Sequence, residues 1–183
     1  ADFPKLVKEF GEGVKISLNL SPSQLTTDGY TRDFIDTIDT QHVDKNNITL
    51  EITEEFALED TEQLETINRL RMRGFGLSLD DFGTGFTNLN QLRTLPFTEV
   101  KIDRTLINDI HQDQFNQVVV DTLVNIAGKI DASLIAEGLE EYEDLEYLNK
   151  NYKDMNVQGY LICKPKPLDS LFYWHHSWLY NVQ

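Results

Sequence analysis

The sequence is poor in cysteine and has no long apolar run. Cys163 is the only cysteine in 183 residues and has no metal-type spacing with any of the four histidines. No intrachain disulfide can form, which favours a reducing compartment and a thiol that only packs. No apolar run approaches the roughly 20 residues that span a bilayer. The opening stretch ADFPKLVKEF lacks the basic and apolar regions of a signal peptide, so we expect a soluble chain.

Basic side chains are also scarce. Lys and Arg number 16 against 31 Asp and Glu, which gives a formal net charge of −15 at pH 7. Binding to the phosphates of a nucleic acid needs clustered Lys and Arg, so the composition predicts no DNA or RNA partner. Scattered acids would be an ordinary solvated surface, whereas acids gathered in one place would need a cation.

Short β-type runs alternate with helical patterns along the whole chain, which predicts a parallel sheet with crossover helices in one α/β domain. The predicted strands are residues 15–20, 48–53, 76–81, 99–103, 133–137 and 157–162. A complete TIM-like (β/α) barrel has eight such units in roughly 250 residues, so six units predict an incomplete barrel. The first strand begins a few residues into the chain, and we therefore expect the missing strands to precede Ala1.

Alternation along each strand sorts its side chains onto two faces. One face is aliphatic and should pack under helices, as with Leu18, Leu50 and Leu79. The other face carries polar residues near the strand ends: Asn19, Glu51, Asp80 and Lys101, with Glu137 and Gln158 close to the last two strands. Parallel barrels place their active sites where the carboxyl ends of the strands meet. The pattern predicts that these side chains share one mouth of the barrel.

Asp81 adds a further carboxylate beside Asp80, and this much negative charge is costly to bury without a cation. Oxygen ligands without His or Cys suit Mg²⁺ or Mn²⁺ better than zinc. Adjacent Asp80 and Asp81 could bridge two ions about 3.5 to 4 Å apart, which would clamp a phosphodiester and activate water. The spacing alone leaves a second interpretation open, a polar barrel interior of paired charges.

Six segments at these positions resemble, in order, the EAL-domain family, which hydrolyses the cyclic dinucleotide c-di-GMP to linear pGpG on a barrel with two divalent ions. They are NLSPSQL from Asn19, EITE from Glu51, DDFGTGFTNL from Asp80, KID from Lys101, AEGLE from Ala136 and QGYLICKPKPL from Gln158. The resemblance runs from about Ile16 to the end. It implies that residues 1–183 are the C-terminal three quarters of an EAL domain.

The resemblance also implies a role for each matching residue. The ligands of two Mg²⁺ or Mn²⁺ ions would be Asn19, Glu51, Asp80, Asp81 and Glu137, with Asp80 bridging both ions. Lys101 would orient or polarise the attacking water, Glu137 would alternatively be the general base, and Gln158 would line the site. The loop-stabilising residues would be Glu54, Glu140, Gly83 and Gly85.

The family's Glu-Ala-Leu motif and a nearby arginine, which supply another metal ligand and a contact to substrate phosphate, do not occur in this chain. The stretch at 55–58 is not that motif, because it contains an extra Phe and directly follows a strand. We interpret the chain as a piece of a complete enzyme rather than a natural remnant. Bare sheet edges should then pair with another copy if the chain is stable alone.

The leading hypothesis is a cyclic-di-GMP phosphodiesterase of bacterial second-messenger signalling, with the parent domain expected to be the active form. The alternative is a catalytically inactive EAL domain that acts as a c-di-GMP receptor or protein-interaction module. A barrel acting on another phosphorylated metabolite is a third. The resemblance further implies a homodimer or edge-paired oligomer, an additional signalling domain N-terminal in the parent protein, and a cytoplasmic location or a tether to the inner membrane.

Overall fold

The structure, a computed structural model, describes residues 2–27, 29–53, 61–83 and 89–181. Its strands are β1 (Ile16–Asn19), β2 (Ile48–Thr53), β3 (Gly76–Phe82), β4 (Glu99–Ile102), β5 (Ser133–Ala136) and β6 (Asn156–Val157). Its helices are α1 (Phe3–Phe10), α2 (Pro22–Thr26), α3 (Tyr30–Thr40), α4 (Thr61–Met72), α5 (Leu89–Thr94), α6 (Arg104–Ile107), α7 (Gln114–Ile130), α8 (Tyr142–Asn151) and α9 (Leu168–Asn181).

The strands form one parallel sheet in which they lie side by side in chain order, β1 to β6. Each strand therefore pairs with its predecessor along the chain, as in a β/α barrel. The sheet curls into half a barrel, and the predicted incomplete TIM-like barrel is confirmed. Among the described residues, no helix is both long enough and apolar enough to span a bilayer.

The core lies between the sheet and its helices, and the predicted alternation holds for the central strands. Leu50, Leu77, Leu79 and Ile102 are each at most 2% exposed on the helix-facing side. Leu18 was expected to pack in the same way, and this was wrong because its side chain is 36% exposed. Within the described part of the chain, strand β1 lies at the edge of the sheet and pairs with β2 alone, so it gains cover from one side.

The sixth predicted strand, 157–162, was too long. Only Asn156–Val157 pair with β5, and the chain then turns, with the N–H groups of Ile162 and Cys163 both donating to the carbonyl of Gly159. A Cβ at Gly159 would lie 2.1 Å from the carbonyl oxygen of Leu139. The turn therefore brings the backbone after β6 directly against the loop that follows β5, where only glycine fits.

Two helix boundaries show how local residues fix the elements. Gly74 follows α4 with a φ of +99°, the left-handed conformation that ends many helices. Asp113 caps α7, because its carboxylate accepts hydrogen bonds from the N–H groups of Phe115 and Asn116. These boundaries set where the chain leaves each helix to enter the next strand.

Candidate metal centre

The polar residues predicted for one mouth of the barrel come from strands that are direct neighbours. Asn19 of β1 lies opposite Glu51 of β2 in the strand register. Lys101 of β4 lies opposite Ile135 of β5, and the N–H of Glu137 continues that ladder by donating to the carbonyl of Ile102. The carboxyl ends of adjacent parallel strands thus bring these side chains to the same edge of the sheet.

Lys101 is the centre of this group. Its side chain is buried, and its Nζ lies 2.9 Å from Glu51 Oε1, 2.8 Å from Asp80 Oδ1 and 2.8 Å from Glu137 Oε1. Three carboxylates, from β2, from β3 and from the residue directly after β5, therefore share one ammonium group. An ammonium has three N–H donors, so all of its hydrogen-bonding capacity is used.

The electrostatic surroundings keep Lys101 protonated. Burial by itself would lower the pKa of this ammonium, but its hydrogen bonds to Asp80, Glu137 and Glu51 outweigh burial and raise the pKa above its ordinary value. Burial raises the pKa of Glu137, and the hydrogen bond from Lys101 offsets part of that increase. At neutral pH Lys101 is thus a hydrogen-bond donor and cannot act as a base.

An irregularity in β3 allows two consecutive aspartates to serve the same site. Leu79 pairs with Val100 and Phe82 pairs with Ile102, so two residues of β3 oppose the single Lys101 of β4. Asp81 has a φ of +56°, as expected where an extra residue is inserted into a strand. Phe82 returns to the core at 4% exposure. Without this bulge, Asp80 and Asp81 would point to opposite faces.

Carboxylate oxygens of Asp80, Asp81 and Glu137 lie within 4.8 Å of one another, close enough to share a cation. With Glu51, which contacts Lys101, four carboxylates are gathered at this end of the sheet around a single lysine and its partners. Such an excess of negative charge is unfavourable unless a cation offsets it. All-oxygen donors fit a hard divalent ion, so the residues present suit a metal of that class.

The remaining predicted site residues are less central in the structure. Asn19 and Gln158 are both exposed, and Gln158 is held by its backbone, which donates to Ala136 and accepts from Leu139. Glu140 lies 3.9 Å from Arg104 in an ion pair that is about half exposed. Neither Glu54 nor Gly85 belongs to the described residues.

Gly83 directly follows the bulge of β3 with a φ of +114°, and a Cβ there would lie 2.5 Å from Cδ1 of Leu106. The conformation favours glycine at this position, and any larger residue would also require the Leu106 side chain to move. The roles of these residues in catalysis or loop stability stay predictions.

Three further buried polar residues were not predicted from the sequence. Asp144 in the first turn of α8 is 2% exposed, and it could have been found as an acid four residues before Leu148 on the apolar face of that helix. Ser78 and Glu99 lie opposite each other below the carboxylates, and Ser78 Oγ and Glu99 Oε1 are both buried without a hydrogen-bond partner. Ser78 and Glu99 each lie two residues before Asp80 and Lys101, and this spacing is the sequence signal that places them on the same face of the sheet.

Comparison with known proteins agrees with this geometry. The family model described as "EAL domain" matches residues 2–165. The probable cyclic di-GMP phosphodiesterase PdeG of Escherichia coli K12 is 33% identical over 87% of the chain, which spans only 32% of PdeG. For two further curated relatives the chain spans 20% of their length.

Solved structures show the same fold. The EAL domain of Mycobacterium smegmatis DcpA matches with a TM-score of 0.83 at 27% identity, covering 94% of this chain and 79% of that one. PaMucR phosphodiesterase in complex with c-di-GMP matches with a TM-score of 0.79 at 30% identity, covering 92% of this chain and 68% of that one. Together with the family match over most of its length, these similarities show that the chain belongs to the EAL-domain family.

Proposed function

We propose that this chain is the catalytic part of a metal-dependent phosphodiesterase that hydrolyses c-di-GMP to linear pGpG. The observation that carries the proposal is the group of four carboxylates around Lys101 at the carboxyl ends of β2 to β5. Relatives named as cyclic di-GMP phosphodiesterases, and a relative solved in complex with c-di-GMP, support the choice of substrate.

The carboxylates of Glu51, Asp80, Asp81 and Glu137 would hold two divalent ions, Mg²⁺ or Mn²⁺. When bound, such ions neutralise phosphate charge and lower the pKa of water. The negative net charge of the chain gives no other general attraction for a dinucleotide phosphate. Glu51 and Asn19, which lie opposite each other in the strand register, would complete the ligand set.

Lys101 and Glu137 divide the remaining chemistry. Lys101 stays protonated, so it would donate a hydrogen bond that orients the attacking water or stabilises charge on a phosphate oxygen. Burial raises the pKa of Glu137, which suits a base that accepts a proton from water. The water oxygen would bond to phosphorus as the bond from phosphorus to the 3′-oxygen breaks, and that oxygen would take up a proton.

The test is hydrolysis of c-di-GMP with Mn²⁺, followed as pGpG by chromatography, for the parent domain that includes the Glu-Ala-Leu strand and for its Asp80→Ala variant. We expect the activity of the variant to fall about tenfold or more, because Asp80 is both one of the clustered carboxylates and a partner of Lys101. Asp36→Ala is the matched control, because Asp36 is an exposed aspartate on α3. Binding of c-di-GMP without any pGpG would instead make the chain a receptor.

We also propose how the protein assembles and where it is located. Strand β1 at the sheet edge, with Leu18 36% exposed, supports an edge-paired oligomer or homodimer, and light scattering would measure it. The small share of each curated relative that the chain spans supports an additional signalling domain, which we propose lies N-terminal in the parent protein. A cytoplasmic location, or a tether to the inner membrane, stays a proposal that fractionation of cells would test.

A further inference from the structure

The segments that follow β4 and β5 each leave the sheet beside a residue of the metal centre, Lys101 near the end of β4 and Glu137 directly after β5. Both segments then run away from the centre, the first through α6 and the turn at residues 108–111, the second into α8. Asp144, in the first turn of α8, joins them at their far ends and is 2% exposed. Its carboxylate does not touch the metal centre residues in any contact that the structure describes.

Asp144 binds the 108–111 turn through three donors. Its Oδ2 accepts the N–H of Asp109 at 3.1 Å, and its Oδ1 accepts the N–H of His111 at 3.2 Å. Oδ1 also lies 2.7 Å from Nδ1 of His111, which must carry the proton because an ionised carboxylate only accepts. Asp109 has a φ of +58°, so the turn bends sharply to direct both N–H groups at one carboxylate.

Two side chains of α7 hold the same region from the other side. Asn116 Nδ2 donates to the carbonyl of Thr105 at 3.1 Å, and Gln117 Nε2 donates to the carbonyl of Ile110 at 2.7 Å. Helix α6 and its following turn are therefore fixed between α7 and α8. Helix α6 has only four residues and cannot hold this position by itself.

The position of α6 sets that of Glu137 through direct packing. Gly138, with a φ of +67°, lies so close to Arg104 that a Cβ there would be 2.4 Å from Cβ of Arg104, the first residue of α6. On the other side, the backbone of Leu139 is packed against Gly159. The segment 137–139 is thus enclosed between α6 and the turn after β6, and Glu137 reaches Lys101 from there at 2.8 Å.

We propose that Asp144 is a positioning residue for Glu137. By holding the 108–111 turn against α8, it keeps α6 in contact with Gly138 and so keeps the carboxylate of Glu137 at the metal centre. The expected effect of Asp144 on catalysis rests on the proposed function. Its expected effect on the position of Glu137 does not. Supporting shells of this kind are needed because a small displacement of a ligand weakens metal binding.

The test compares Asp144→Ala and Asp144→Asn with wild type, and with Glu143→Ala as a matched control that removes an exposed carboxylate from the adjacent position. Hydrogen exchange is measured at the N–H groups of Glu137 and Leu139, which donate to Ile102 and Gln158. Mn²⁺ affinity is measured by calorimetry, and kcat and KM for c-di-GMP are measured separately. Each variant is first checked for folding by its near-ultraviolet circular dichroism.

We expect Asp144→Ala to speed exchange at Glu137 and Leu139, to weaken Mn²⁺ binding roughly fivefold, and to lower kcat more than it raises KM. Asp144→Asn, which keeps one acceptor oxygen, should recover part of each effect, and Glu143→Ala should match wild type. Faster exchange confined to Asp109 and His111, with unchanged Mn²⁺ affinity, would show that Asp144 only stabilises its own turn. Failure of the parent domain, which includes the Glu-Ala-Leu strand, to hydrolyse c-di-GMP would reject the proposed function, while the exchange results would still decide the role of Asp144.

Discussion

Two buried charged residues, one in the metal centre and one beyond it, are neutralised in opposite ways. Lys101 is a cation that faces three carboxylates at 2.8 to 2.9 Å, with a fourth carboxylate, Asp81, nearby. Asp144 is an anion that faces two backbone N–H groups and one imidazole. Both are at most 5% exposed, so burial alone does not distinguish them.

The difference is one of balance. Around Asp144 every close contact in the described structure is a donor, and the carboxylate needs nothing from solution. Around Lys101 the carboxylates outnumber the single cation. This arrangement is stable only if another cation is added or if some of the carboxylates are protonated. An unbalanced buried group therefore indicates a ligand site, whereas a balanced one indicates a support for the fold.

Removing the Lys101 ammonium should have the largest effect on stability. We expect Lys101→Met to lower the free energy of unfolding by about 3 to 5 kcal/mol without metal, because three carboxylates lose their shared partner. Mn²⁺ should restore more stability to this variant than to wild type, since the ion would replace the missing charge. Urea unfolding with and without Mn²⁺ measures both effects.

The control for that experiment is Lys129→Met, which removes an exposed lysine at the end of α7. It should change the unfolding free energy little, with or without Mn²⁺. If Lys101→Met were as stable as this control in the absence of metal, the carboxylates would not depend on Lys101, and the charge balance described above would be incorrect.

Glu99 is a third buried acidic residue, and its hydrogen bonding is incomplete. Its Oε1 has no hydrogen-bond partner, and Ser78 Oγ opposite is also unpartnered. We expect Glu99→Gln to raise the free energy of unfolding by about 1 kcal/mol, because the amide removes a charge and offers Ser78 a donor. Glu65→Gln on the exposed face of α4 is the control for loss of charge alone. A less stable Glu99→Gln protein would mean that the Glu99 carboxylate has a partner in solution.

The residues of the metal centre could be predicted from the sequence. The backbone irregularity that brings Asp81 to the same face as the others could not. Alternation along β2, β3 and β4 placed Glu51, Asp80 and Lys101 on one face, and the structure has them in contact. Alternation also assigns Asp81 to the opposite face, and only the bulge in β3 brings it back. A bulge depends on pairing with the neighbouring strand, which a local pattern does not contain.

Long-range contacts explain the other differences between expectation and structure. Leu18 fits the aliphatic pattern, but its exposure follows from the place of β1 at the sheet edge. Asp144 shares a helix face with Leu148, and its partners are 33 and 35 residues away along the chain. Such partners cannot be identified from spacing, since the turn that presents them forms only when α6, α7 and α8 pack together.

The smallest expected effect on stability concerns Asp144 and its partner His111, and this effect depends on pH. The hydrogen bond to Asp144 raises the pKa of His111 above 6.5, while partial burial opposes it and the charges of Asp144, Asp109 and Glu143 add to it. The cleft around His111 is lined by further acids, Glu140 and Glu141. The folded protein therefore holds this proton more tightly than the unfolded chain.

A raised histidine pKa contributes stability below pH 6.5, and that contribution is lost as pH rises through the pKa of the folded state. We expect the difference in unfolding free energy between wild type and His111→Gln to shrink over this range. An NMR titration of the His111 ring should give a lower pKa in Asp144→Asn, because a neutral amide attracts the imidazolium less than a carboxylate does. If the ring titrated identically in both proteins, Asp144 would not be ionised in the fold, and the contrast with Lys101 would have to be explained by hydrogen bonding alone.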